Sequence, residues 1–349
     1  MVFRVDRLAI GLMTMPRSQP LHDLISRIRR PSAMREIMAS ALRSIYMRDP
    51  FSESRTDLAP TPQLLRDLIS IDEQTIANIS CAIYQPTTLI SAVASNNLPP
   101  LIIYMHGGGF VVGCSQDTDY ITRQLSHQSQ AIVVSINYAL TPEAHFPQAL
   151  QQCQRVLQQC FVTMHGRFDP DRVFLAGDSA GGNLALAIAC NDFEPKPPIA
   201  GLILLAPWLD MHLEKYDSYN TLARSGVVYD SPFMAYARAA YVDYADWSNP
   251  LASPMLFALD RWPRTLIVCG TDDPLIDQTL AVRNAAQNQG CDHIKVVTFA
   301  EMPHCFYSFP GLFKEEVECF AETEKFVSAN FVVAEESQCH ATEGGDSER

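Results

Sequence analysis

Six short apolar runs mark the chain between residues 101 and 299: LIIYM at 101–105, AIVVSI at 131–136, RVFLAG at 172–177, GLILLA at 201–206, TLIVCG at 265–270 and IKVVTF at 294–299. Continuous runs, as opposed to alternating ones, suit strands buried on both faces of a parallel sheet. Helical patterns lie between them, as in FPQALQQCQRVLQQCF at 146–161 and GGNLALAIAC at 181–190. Strand and helix in alternation predict an α/β fold, with a mostly parallel central sheet flanked by helices.

Two stretches break this rhythm. Near the N-terminus Leu21, Leu24, Ile25 and Ile28 share one helical face that ends at Pro31. Behind Ser32, which is placed to cap, Met34, Ile37, Met38, Leu42 and Ile45 share a second face. Two amphipathic helices need something to cover, so residues 1–55 read as a helical arm packed on the body. The second stretch, 208–262, is rich in Tyr, Asp and Ser, with a helical pattern at SPFMAYARAAYV. It is too long for a connection and reads as an insertion whose packing partner is the arm. The main domain then comprises 56–207 and 263–333, and the polar 334–349 reads as a disordered tail.

A net charge of -13 argues against nucleic acid as a partner. The basic residues gather at the start, where residues 1–50 carry nine Lys/Arg against four Asp/Glu. No apolar run approaches the roughly 20 residues that span a bilayer, so stable membrane insertion is not expected. The opening MVFRVDRLAIGLMTMP has a short apolar core and no A-x-A-like site, which argues against a cleaved signal. Ten cysteines include no C-x-x-C pair and no Cys/His cluster at zinc-ligand spacing, so neither a metal nor another cofactor is expected. Several lie inside apolar runs, where a reduced thiol behaves as a small hydrophobe, and the expected compartment is the cytoplasm.

The chemistry begins at FLAGDSAGGNLALA. Gly177-Asp178-Ser179-Ala180-Gly181 stands between an apolar strand and an apolar helix, the setting in which G-x-S-x-G lifts a serine on a sharp turn. A serine nucleophile needs a base, and the base an orienting carboxylate. In this chain order the carboxylate and then the histidine come later. TDDPLID after the fifth run offers Asp272, Asp273 and Asp277, and AEMPHCF after the sixth offers His304. All of these emerge at the carboxyl edge of the sheet, where α/β sites lie. Attack on an ester carbonyl places negative charge on oxygen, which needs preorganised N–H donors. Gly107, Gly108 and Gly109, after the first run, together with Ala180, are the expected oxyanion hole. His106 reads as a brace for that loop, because the base is already supplied.

These segments resemble the hormone-sensitive-lipase family of α/β-hydrolase esterases, most nearly its bacterial acetyl esterase-like members. The matching residues are HGGGF at 106–110, NYALTPEAHFPQA at 137–149, GDSAGGNLA at 177–185, GTDDPLID at 270–277 and PHCF at 303–306. The family pattern G-x-x-D-P-L-x-D implies Asp273 as the triad carboxylate. It also implies a cap built from the arm and the insertion. The activity implied is hydrolysis of short-chain acyl esters by Ser179, His304 and Asp273 through an acyl-serine intermediate, on a small-molecule ester, with a homodimer allowed. Amide hydrolysis or deacetylation would use the same triad. A non-catalytic receptor on this fold, as in related plant hormone receptors, would lose the histidine that stands here at 304.

Three positions depart from the family. Asn137 and Ala139 replace a charged pair in its D-Y-R-L-A-P-E segment, and Cys305 takes the place of a glycine, where it would crowd the site or make it thiol-sensitive. Trp208, Tyr216, Tyr219, Phe233 and Tyr236 are aromatic candidates for an acyl pocket, with ordinary cap packing as the alternative.

Overall fold

The computed structural model describes residues 61–91, 98–225 and 231–329. The arm at 1–55 and the tail at 334–349 lie outside the described residues. Eight strands form one sheet: β1 Ile69–Ile76, β2 Ile79–Pro86, β3 Leu101–Met105, β4 Ile132–Ile136, β5 Val173–Asp178, β6 Gly201–Leu205, β7 Thr265–Gly270 and β8 Ile294–Phe299. Their order is β1-β2-β4-β3-β5-β6-β7-β8. All six apolar runs become strands, and β3 to β8 are parallel.

The hairpin β1–β2 is antiparallel and joins the sheet through β4. β1, ISIDEQTI, is an edge strand with mostly exposed or half-buried residues, so it lacks the continuous apolar run of the central strands.

The described helices are α1 Gln63–Leu68, α2 Thr87–Ser91, α3 Asp119–Ser129, α4 Gln148–Thr163, α5 Ala180–Cys190, α6 Asp217–Ser225, α7 Ser231–Tyr241, α8 Ile276–Gln289 and α9 Glu315–Ser328. Side chains alternate across each strand, which sorts the core into two layers. Leu101, Ile103 and Met105 of β3 face α4 and α5, with Leu150, Val156, Leu184 and Ile188 in that layer. Ile102 and Tyr104 face the opposite layer, which holds Ile121 and Leu125 of α3 and Phe320 and Val327 of α9.

From β3 the chain steps outward to β4, then crosses back to β5 on the other side of β3. The connections diverge at the carboxyl ends of β3 and β5 and leave a crevice there. Between β6 and β7 the chain makes the long excursion expected from its composition, and α6 and α7 belong to it.

Candidate active site

β5 ends at Asp178 and runs directly into α5. At the turn Ser179 has φ 51° and ψ −114°, outside the ordinary regions for a side-chain-bearing residue. Such strain costs on the order of 1–3 kcal/mol and persists only where the surroundings impose it. Here Ser179 N–H donates to the Leu205 carbonyl at 2.9 Å, and Trp208 N–H donates to the Ser179 carbonyl at 3.0 Å. The flanking glycines make the turn feasible: a Cβ on Gly177 would strike the Gly181 backbone, and one on Gly181 the Met105 carbonyl.

His304 follows β8 and is 2% exposed, while Asp273 follows β7 and is fully buried. His304 Nδ1 stands 2.8 Å from Asp273 Oδ2. Asp273 Oδ1 accepts the Leu275 N–H at 2.8 Å, and Oδ2 also accepts the Cys269 thiol at 3.4 Å. Of the three candidate aspartates, Asp273 is the one that meets the imidazole. Asp277 accepts the Ser218 N–H at 2.7 Å and braces the start of α6. Burial is the largest influence and opposes charge on the imidazole, but the Asp273 carboxylate and Cys305 together outweigh it and hold the His304 pKa well above the ordinary histidine value.

Ser179, Asp273, His304 and Gly109 line one cavity of about 10 Å³, close to the space of a single water. Its apolar wall includes Trp208, Phe233 and Met234. Two of the five aromatic candidates therefore reach the cavity. Tyr216 donates its hydroxyl to Asp210 Oδ2 at 2.7 Å, Tyr219 donates to the Ser231 carbonyl at 3.4 Å, and Tyr236 is 57% exposed.

The glycine loop requires one correction. Gly107 N–H donates to Asp178 Oδ1 at 2.7 Å, so it is not available as an oxyanion donor. Its lack of a side chain serves a different purpose, because a Cβ there would strike the Asp178 carboxylate. The N–H groups of Gly108, Gly109 and Ala180 have no acceptor among the described residues. Tyr104 also donates its hydroxyl to Asp178 Oδ1. Burial pushes the Asp178 carboxyl pKa up, against the hydrogen bonds from Tyr104 and Gly107. Tyr104 sits inside the apolar run LIIYM and Asp178 at the first x of G-x-S-x-G, so neither was expected to carry a role.

His106 is completely buried, with Nδ1 2.7 Å from the Gly107 carbonyl. Its ring stacks on Tyr138 at 4.2 Å, and the Tyr138 hydroxyl donates to the His106 carbonyl at 2.6 Å. These contacts have the geometry of a brace. The departures are absorbed locally. Asn137 Oδ1 accepts the Ser115 N–H at 2.7 Å, and Ala139 N–H donates to Gln152 Oε1 at 2.6 Å. Cys305 adopts φ 56°, the left-handed conformation that favours glycine, yet its thiol does not line the cavity. It accepts the Tyr307 hydroxyl at 3.5 Å, and burial pushes its pKa up.

The family described as the alpha/beta hydrolase fold matches residues 102–308, from β3 through the histidine loop. An esterase of Gibberella moniliformis is 31% identical over 241 residues, covering 64% of this chain and 73% of that protein. An acetyl-hydrolase of Streptomyces hygroscopicus is 30% identical over 208 residues, covering 59% of this chain and 67% of its own. Among solved structures, an esterase from the bacterial hormone-sensitive lipase family superposes with a TM-score of 0.68 at 22% identity, covering 94% of this chain and 97% of that one. The chain belongs to the α/β-hydrolase family, and within it to the carboxylic ester hydrolases. Among the described residues no helix is long and apolar enough to cross a membrane.

Proposed function

We propose that the chain is a serine carboxylesterase acting on short acyl esters, acetyl-like in size. The observation that carries this reading is the strained Ser179 turn sharing one narrow cavity with the His304–Asp273 pair. Ser179 Oγ attacks the ester carbonyl carbon while His304 Nε2 takes its proton. The resulting oxyanion is met by the N–H groups of Gly108, Gly109 and Ala180. His304 returns the proton to the departing alkoxide, leaving an acyl-serine. Water then attacks the acyl carbon with His304 again as base, releasing the acid and restoring Ser179. Asp273 keeps Nδ1 protonated and supports the imidazolium.

The acyl limit follows from the cavity, where Trp208, Phe233 and Met234 leave little room beyond the reacting carbonyl. Residues 208–262, together with 1–55, are proposed as the cap, and removing residues 1–30 should relax the acyl-length preference. The main test is Ser179→Ala, assayed for chromogenic ester turnover and for labelling by a serine-directed phosphonate. Both should vanish, and a variant that still labels would overturn the assignment.

A further inference from the structure

Gly109 and Phe110 are consecutive residues in the left-handed region, with φ 62° and 65°. For phenylalanine this conformation is strained, and the fold must hold it there. Its main ring contact comes from the insertion. The Phe110 ring lies flat on Tyr241, the last residue of α7, with centroids 3.6 Å apart and planes 2° from parallel. Phe110 also accepts the Thr141 N–H on its carbonyl at 2.9 Å, and the Thr141 hydroxyl donates to the Ala240 carbonyl. Phe146 N–H donates to the Tyr241 carbonyl at 2.9 Å, and its ring meets Tyr241 edge-on at 5.8 Å. The end of α7 is therefore tied to the 141–146 loop on one side and to Phe110 on the other.

One turn earlier, α7 lies directly over the glycine. A Cβ on Gly109 would come within 3.0 Å of the Ala237 Cβ and 3.2 Å of the Phe233 ring. Gly109 is thus confined between its own strained successor and a helix of the insertion.

We propose that Tyr241 is a positioning residue for the oxyanion hole: by stacking on Phe110 it anchors the glycine loop directly after Gly109 and so keeps the Gly109 N–H aimed into the cavity. The inference rests on Gly109 being an oxyanion donor. It makes the insertion part of the transition-state machinery as well as a wall of the acyl pocket. The ring makes these contacts and the hydroxyl does not, since the buried Tyr241 Oη has no partner among the described residues.

The test compares Tyr241→Leu with Tyr241→Phe. Each variant is assayed for kcat and KM on a short-chain chromogenic ester, and for affinity toward an alkyl trifluoromethyl ketone. That ketone takes up Ser179 Oγ at its carbonyl carbon, places an oxyanion in the hole and leaves the serine proton on His304. Because a misaimed donor weakens the transition state more than the bound ester, Tyr241→Leu should lose roughly tenfold or more in kcat with KM nearly unchanged. Ketone affinity should fall in parallel, and Tyr241→Phe should retain both. If Tyr241→Leu does not fold, Phe110→Leu removes the same stack from the other side and must reproduce the pattern. Wild-type kcat in the leucine variant, or a Tyr241→Phe variant as impaired as Tyr241→Leu, would overturn the proposal. Turnover surviving in Ser179→Ala would instead sink the serine mechanism, whereas an inactive Ser179→Ala beside a fully active Tyr241→Leu removes only the positioning role.

Discussion

The backbone N–H of Gly107 donates to the carboxylate of Asp178 at 2.7 Å, which ties the first residue of the glycine loop to the residue preceding Ser179. The bond spans two neighbouring strands, β3 and β5, at their carboxyl ends. Placement of the glycine loop and placement of the serine are therefore one structural problem.

Removing that carboxylate should be felt twice. Asp178→Ala leaves the Gly107 N–H and the Tyr104 hydroxyl buried without their shared acceptor, a loss of about 1–3 kcal/mol. Denaturant unfolding should register that destabilisation, and kcat on a short ester should fall with it. An unchanged midpoint together with an unchanged kcat would show that the contact contributes to neither.

Asp273 and Asp277 of TDDPLID should separate sharply. Asp273→Asn should lower turnover by about 10⁴, because an amide at this position favours the wrong tautomer of His304. Asp277→Asn alters only the brace on Ser218 and should leave kcat within severalfold of wild type. Steady-state kinetics of the two variants decides the matter, and the reverse ranking would misplace the carboxylate.

The pH profile should show where the imidazole titrates. Only neutral His304 can accept the serine proton, and Asp273 raises its pKa, so the histidine remains protonated above the ordinary value. The acid limb of kcat/KM should therefore lie above the usual histidine midpoint of about 6.5 and rise with pH through it. A limb below that value would mean that burial outweighs the carboxylate.

Acyl preference should move with the wall supplied by α7. Phe233→Ala or Met234→Ala enlarges the cavity beside Ser179 and should raise turnover of hexanoyl relative to acetyl esters, by roughly tenfold for a few added methylenes. A series of nitrophenyl esters of increasing length measures the ratio. If it stays constant in both variants, the acyl group binds elsewhere.

The central strands were legible because burial on both faces leaves an unbroken apolar run. β1 was not, because its exposed Asp72 and Glu73 resemble a loop when read without their partner strand. Ser179 and His304 were legible because each follows such a run in a recognisable context. Asp178 was not, since in G-x-S-x-G its position carries no local signal; its importance appears only when β3 lies beside β5. The same reason hid the displacement of Gly107 from the oxyanion set, and the Phe110–Tyr241 stack, which joins residues 131 positions apart.

The strand order divides the site into two halves. Met105 pairs with Gly177, so the glycine loop and the serine leave one zipped pair of strands. Gly270 pairs with Phe299, so the aspartate and the histidine leave another. Between the pairs runs β6, a single strand that works as a spacer with a width of about two inter-strand steps, each roughly 4.8 Å. The excursion at 208–262 departs from that spacer and returns on the next strand without entering the count. Away from α7 its loops can lengthen, shorten or change character while the gauge between Ser179 and His304 holds constant.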